Sequence, residues 1–393
     1  MSIRKSAIVS GFAEMAPHKG PRGKTPLGIM AEMARQAIAD AGLKKSDIDG
    51  LLTAQTMGDG FTMLWPSVVA EYLGLEPRYI NTVENGGGST AGMLWRAAAA
   101  LDAGMCNHVL VTLGDVWDSK SMVFDPPPLP KTLEEFDEPY GLVGAIPGYA
   151  MFTRRHMHEF GTTPEQLAKV AVDQRINAFA NPSALYGDKL ISIDDVLGSK
   201  VLCDPLHILE VVSPCTGGCA FIVSRAEYAA DCPNPAVYLL GAGEAGGNRS
   251  SVYATNAPEY TTTLAKRSAA DAFAMAGVGV EEMDFYQPYD CFTVVVMVQL
   301  EDIGVCPKGE GGRFVEETDL TYRGSCPVNT HGGQLSFGQP GLAGGATQVI
   351  EGIRQLMGRG GERQVKDAVL GYVGNGGVVG QASSLVLTND ATI

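Results

Sequence analysis

The chain has 393 residues, 45% of them hydrophobic and 7% aromatic, enough to bury a large core and fill two or three structural units. Its formal net charge of -15 argues against nucleic acid or an anionic membrane as partner and favours a small molecule or another protein. No apolar run approaches the roughly 20 residues of a membrane span, and the apolar stretch in MSIRKSAIVSGF is too short for a secretory signal, so a cytoplasmic location is expected.

In chain order, the first predicted helix runs from Leu27 to Ala41. It ends in AIADAGLKKSDIDGLL, which reads as an alanine-rich helix end, a capping glycine, a short turn and a strand. A similar segment, AFAMAGVGVEEMDFYQ, starts at Ala272. Without a gap, Ala37, Ala39, Ala41, Gly42 and Asp49 fall on Ala272, Ala274, Ala276, Gly277 and Asp284, a spaced recurrence that points to a duplicated α/β unit.

In VENGGGSTAGMLWRAAAALDAG, Gly86, Gly87 and Gly88 stand directly before a predicted helix from Thr90 to Ala103. Free backbone N–H groups at such a helix start stabilise negative charge. HVLVTLGD follows as a buried strand. From Phe124 to Pro147 the chain is proline-rich, which neither helix nor central strand tolerates, so a long excursion is expected there, with a polar helix from Thr163 to Ala180 behind it.

CAFIVS and AVYLLGAG read as strands and Leu264 to Ala276 as a helix. Tyr289 and Asp290 then stand just ahead of a long apolar helix in FYQPYDCFTVVVMVQLEDIG. The glycine-dense NTHGGQLSFGQPGLAGG, residues 329–345, leads into a helix from Gly345 to Met357, and GYVGNGGVVGQAS with the strand SSLVLT completes the pattern. The alternation argues a layered α/β architecture, with an N-terminal half over 1–232, an excursion at about 124–202, and a C-terminal half over 233–393.

The eight cysteines lie in hydrophobic sequence, the pattern of reduced, buried thiols. Cys215 and Cys219 have a spacing found in metal sites, but no second pair or histidine cluster accompanies them, and no metal is expected.

The stretch from Asn329 to Gly345 resembles the thiolase signature: Asn329, Gly332, Gly333, Gly338, Pro340 and Gly345 fall on the family's positions, and Gln339 takes the place of its histidine. The resemblance covers essentially the whole chain. It implies the thiolase fold, duplicated five-stranded α/β units in an αβαβα five-layer sandwich, usually as a homodimer. It also implies acyl-CoA as substrate, with coenzyme A arriving as part of that substrate and no permanently bound cofactor.

Carried over position by position, the resemblance places the family's nucleophilic cysteine on Gly87 and its terminal cysteine on Gly374. In sterol-carrier-type thiolases the second-half motif is His-Asp-Cys-Phe; here it is YDCF, with Tyr289 for the histidine. Glycine cannot take an acyl group. Ser89, two residues on, is expected to cap the turn. The backbone around Gly87 and Gly88, and near Gly376 and Gly377, could still donate to a thioester oxygen together with Asn329, and so stabilise an enolate.

YDCFT and EGGRFV look especially like the lipid-transfer-protein aldolases of steroid side-chain degradation. That likeness implies retro-aldol cleavage with Tyr289 as catalytic acid or base, while the branch's second tyrosine falls on Gln339. Glutamine hydrogen-bonds but does not exchange protons at neutral pH. His331, Asp290 and Tyr286 are candidates for the missing group, although Asp290 also fits as a cap of the following helix or as an orienter of Tyr289. Arg154, Arg155, Lys169 and Arg175 are candidate phosphate contacts or a solvated face. The same branch implies a small partner with an oligonucleotide-binding-type fold and a zinc ribbon. An acyltransferase of altered mechanism and a silent acyl-CoA or lipid-binding subunit are the alternatives.

Overall fold

The computed structural model describes residues 3–117, 135–142, 144–247, 259–378 and 380–393. Of the proline-rich stretch expected to form an excursion, 124–147, residues 124–134 and 143 lie outside the described residues.

The strands are β1 (Ala7–Glu14), β2 (Gly50–Thr53), β3 (Tyr79–Thr82), β4 (His108–Val116), β5 (Val201–Cys203), β6 (Leu206–His207), β7 (Thr216–Arg225), β8 (Val237–Gly246), β9 (Phe285–Gln287), β10 (Leu370–Gly376) and β11 (Gln381–Thr388). The helices are α1 (Pro26–Asp40), α2 (Trp65–Leu73), α3 (Ser89–Asp102), α4 (Ile146–Phe160), α5 (Pro164–Phe179), α6 (Ile193–Leu197), α7 (Ala265–Ala276), α8 (Thr293–Asp302), α9 (Gly311–Glu317), α10 (Gly333–Ser336) and α11 (Ala346–Leu356).

Local chemistry sets the helix ends. Thr25 caps α1 by accepting from Gly28 N at 3.1 Å, and Pro26 fills the first turn, where no N–H is needed. Thr163 and Gln166 form a reciprocal capping box at the start of α5, again followed by proline. α1 then places Ile29, Met30, Met33, Ala34, Ala37 and Ile38 on one buried face, each large side chain contributing about 1.5–3 kcal/mol.

The recurrence read from the sequence is a structural repeat. α1 and α7 close at Gly42 and Gly277, with φ of +71° and +72°, and lead to β2 and β9. The carboxylate of Asp49 accepts from Asn107 N at 2.8 Å and His108 N at 2.9 Å, where β4 starts. Asp284 accepts from Val369 N at 2.7 Å and Leu370 N at 2.9 Å, where β10 starts. Each aspartate thus satisfies the entry of the strand that pairs beside its own.

Strand order is β3-β2-β4-β7-β1 in the first half and β8-β11-β10-β9 in the second; the halves join through β1 and β8 at Ile8–Tyr238 and Val9–Val237, while β5 and β6 pair separately. Among the described residues the second half has four strands where five were expected. The fifth is reduced to the bridge Tyr286–Val328, because Pro327 offers no N–H to a longer ladder. α1 and α2 cover the outer face of the first half, α7 and α8 that of the second, and α3 and α11 form the core between the sheets. These are the five layers.

Candidate active site

Both glycine clusters and the YDCF turn converge at the amino end of α3. Gly86 to Gly88 form a tight turn into that helix. The loop after β10 lies against it: a Cβ on Gly376 would stand 3.0 Å from Gly88 N, and Asn375 Oδ1 accepts from Ala91 N at 3.1 Å. Gly88 N donates to Asn85 O at 3.0 Å, and Gly377 N to Gln381 O at 2.9 Å. These two N–H groups, expected to face a thioester, are therefore engaged within the chain. The N–H of Gly87 has no partner among the described residues and is the donor left for an oxyanion.

Gly87 itself is required by close approach. A Cβ there would fall 2.5 Å from Cζ and 2.6 Å from the hydroxyl oxygen of Tyr289. The phenol occupies the space a nucleophilic side chain would need. Ser89 is no substitute, since its hydroxyl donates to Gly86 O at 2.7 Å and accepts from Asn85 N at 3.0 Å, as expected of a turn cap. Gly374 lies within β10, opposite Ser384.

Tyr289 is positioned by a glutamine that sequence reasoning missed. Gln299 on α8 accepts from Tyr289 N at 3.2 Å and donates to Gly376 O at 2.7 Å, tying the phenol's backbone to the oxyanion loop. α8 is buried on every side, so a lone glutamine in VVVMVQL was the available signal. Burial, with Cys291 and Asp290 beside it, pushes the phenol above its ordinary range, and the amides of Gln334 and Gln339 pull the other way. Gln334 also carried no signal in the sequence.

Asp290 does not cap the following helix. Its carboxylate turns instead to α10, accepting from Gln334 N at 3.0 Å and Leu335 N at 3.3 Å, and from the side-chain amides of Gln334 and Gln348. Gly333, at φ +60°, opens that helix, and any Cβ on it would overlap Asp290 Oδ2. Burial raises the carboxyl, the backbone bonds from α10 lower it, and the balance stands at about 7.

The other candidates are placed elsewhere. Tyr286 donates its hydroxyl to Val280 O at 2.7 Å. His331 is buried with its ring against Phe337 and with neither ring nitrogen hydrogen-bonded among the described residues; burial lowers its pKa to about 3, in spite of Glu351 nearby. Asn329 takes a left-handed backbone at φ +47°, and both polar atoms of its buried side chain lack partners among the described residues. Burial pushes the Cys291 thiol up to about 12, which keeps it protonated.

Among the phosphate candidates, Arg154 pairs with Asp204, Arg155 with Glu159 and Lys169 with Asp173. Arg175 makes no ion pair among the described residues and donates to Ser336 Oγ and Lys189 O. No three metal-ligating side chains cluster among the described residues, and no described helix is long and apolar enough to cross a membrane.

Comparison with known proteins matches residues 246–389 to the family described as thiolase C-terminal domain-like. The chain is 30% identical over 349 residues to a steroid side-chain-cleaving aldolase of Thermomonospora curvata, covering 86% of each. It is 31% identical over 361 residues to an acetyl-CoA acetyltransferase of Methanothermobacter thermautotrophicus, covering 90% of this chain and 92% of that one. The solved structure of an Ltp2-ChsH2(DUF35) aldolase superposes with a TM-score of 0.89 at 29% identity over 99% of both chains.

Proposed function

The chain belongs to the thiolase superfamily, and from that premise we propose that it is an acyl-CoA lyase that splits a β-hydroxyacyl thioester between its α and β carbons by retro-aldol chemistry. The observation that carries this reading is the phenol of Tyr289 in the space that Gly87 leaves open. Tyr289, as phenolate, takes the β-hydroxyl proton. The electrons of the Cα–Cβ bond move into the thioester, giving a ketone or aldehyde and an enolate whose oxygen receives the N–H of Gly87. The phenol then returns a proton to the α carbon, and a shortened acyl-CoA leaves. No covalent acyl-enzyme forms at any step. Gly88, Gly376, Gly377 and Asn329 shape the pocket around the thioester in this reading.

An acyltransferase would need Ser89 or a partner's nucleophile, and both hydrogen-bonding directions of the Ser89 hydroxyl are already used. Pairing with a second copy belongs to the same proposal. It is supported by the edge position of β3 and by the exposed Phe61, Met63 and Leu64 nearby in the chain. A DUF35-type partner is supported by the structural neighbour, an Ltp2-ChsH2(DUF35) aldolase, and a cytoplasmic location by eight free cysteines.

The test is product analysis by mass spectrometry with paired β-hydroxyacyl-CoA and β-ketoacyl-CoA thioesters, steroidal and short-chain. The lyase releases a ketone or aldehyde and a shortened acyl-CoA from the hydroxy substrates, and Tyr289→Phe abolishes this. Cleavage of the keto substrates alone, with free coenzyme A consumed, would identify a thiolase instead. Tight binding without turnover would identify a silent subunit.

A further inference from the structure

The turn that presents the N–H of Gly87 opens at Asn85, and Asn85 is pinned at three places. Its N–H donates to Ser89 Oγ at 3.0 Å, its carbonyl accepts from Gly88 N at 3.0 Å, and its Nδ2 donates to Glu244 Oε2 at 3.0 Å. Glu244 stands on β8, 159 residues further along the chain, and is itself held fast. Arg96 on α3 meets both of its oxygens, at 2.7 and 2.8 Å, while Trp95 Nε1 at 3.2 Å and Ser383 Oγ at 3.1 Å also donate to Oε2. A carboxylate accepts only from the nitrogen end of an amide, so Glu244 fixes which way the Asn85 side chain faces. The fit is close: a Cβ on Gly92 would stand 3.2 Å from both Asn85 Nδ2 and Glu244 Oε2.

We infer that Asn85 and Glu244 are positioning residues for the oxyanion donor: the carboxylate, anchored to α3 and β11, holds the Asn85 amide and so sets the angle at which the turn offers the N–H of Gly87 to the thioester oxygen. This rests on the reading of Gly87 as the enolate donor, and not on the bond that is then cleaved. Gly86, Gly87 and Gly88 bring no side chains of their own, and glycine has the widest choice of backbone conformation. An oxyanion donor works only when it is already aimed, since it then costs no reorganisation as charge develops. The Asn85 side chain supplies that aim by tying the turn to the second half of the molecule.

The test reads the hydrogen bond to the thioester directly. Propionyl-CoA, isotope-labelled at its thioester carbonyl, is bound to the full chain, and the carbonyl stretch is followed by difference infrared spectroscopy, beside kcat and KM for a β-hydroxyacyl-CoA. A donor at the oxygen lowers that frequency, and the native protein is expected to lower it. Asn85→Ala is expected to give back most of the shift and, with the donor misaimed rather than removed, to lower kcat about tenfold while KM stays within about twofold. It leaves Glu244 its bonds to Arg96, Trp95 and Ser383, so the ion pair stands. Asn85→Ser, too short to reach Glu244, is read in its place if the alanine variant fails to fold. Trp95→Phe removes a donor to the same carboxylate without touching the turn, and is expected to lower the denaturation midpoint with the frequency unchanged. A native frequency in the folded Asn85 variant, an equal loss in Trp95→Phe, or no shift in the native protein would each overturn the inference. Failure of the lyase reading would show differently, as the expected order of frequencies without turnover of any β-hydroxyacyl-CoA.

Discussion

Two of the buried carboxylates of the C-terminal half, Glu351 and Asp290, are held in opposite ways. Glu351 meets Arg363 through both oxygens at 3.0 Å and Arg354 at 2.8 Å, and Arg354 continues to Glu14 at 2.7 Å. Burial alone would raise Glu351, but the two arginines carry it well below the usual carboxylate range. Asp290 has only amides and backbone N–H groups around it among the described residues, and stands at about 7. A fixed charge needs a fixed countercharge, and such a cluster can hold structure but cannot respond near neutral pH. A carboxylate held by neutral donors is left free to titrate, and the candidate chemistry lies on that side of the half, at Tyr289. His331 belongs to the ionic side, where Glu351, Arg363 and Arg354 act on it.

Three substitutions break this contrast from one side or the other. Tyr289→Phe is expected to lower turnover of a β-hydroxyacyl-CoA by about 10²–10⁴-fold while leaving the denaturation midpoint nearly unchanged, because only the hydroxyl is lost. Glu351→Gln should show the reverse. It strands Arg363 and Arg354 without their shared anion and should cost about 3–5 kcal/mol in denaturant unfolding, with kcat of the folded fraction retained. Gly87→Ala puts a methyl group 2.5 Å from the phenol ring, an overpacking of about 1–3 kcal/mol that also moves the hydroxyl. Both the unfolding curve and the rate should therefore fall, and a variant stable and fully active would refute the close approach of Gly87 and Tyr289.

Much of the scaffold was legible because its signals are local. Pro26 and Pro164 each follow a threonine that caps, and Gly42 and Gly277 end their helices, so helix limits read from the sequence lie within one residue of those observed. The equivalence of Asp49 and Asp284 also appeared, because the repeat keeps the spacing. The vacancy at Gly87 was legible only through family resemblance, and the reason for it, the ring of Tyr289, lies about 200 residues away in sequence. Gln299, Gln334 and Gln348 carry no motif. Asp290 was read toward its sequence neighbour α8, whereas the chain folds α10, more than 40 residues later, onto its carboxylate.

His331 gives the finest test of the contrast, since the sequence made it a candidate for proton transfer and the structure places it in a dry, apolar contact with Phe337. His331→Leu replaces two unsatisfied buried nitrogens with an apolar side chain, and at pH 7 is expected to change stability by less than about 1 kcal/mol and leave the pH profile of kcat/KM intact. Its effect should emerge in acid. The folded imidazole holds a pKa of about 3 against an ordinary value of 6.5, so between these values the unfolded chain binds the extra proton. Stability from this group is full above 6.5 and is lost as pH falls toward 3, at up to about 1.4 kcal/mol per unit. His108, also lowered by burial, adds slope in the acid range, so the readable quantity is the difference between native protein and variant. Glu351 and the other depressed carboxylates enter only below their unfolded value of 4.5, which leaves pH 4.5–6.5 as the window where the variant should lose stability less steeply. If His331→Leu instead removes an inflection from kcat/KM near neutrality, the imidazole takes part in proton transfer and the division between the ionic and amide sides fails at that residue.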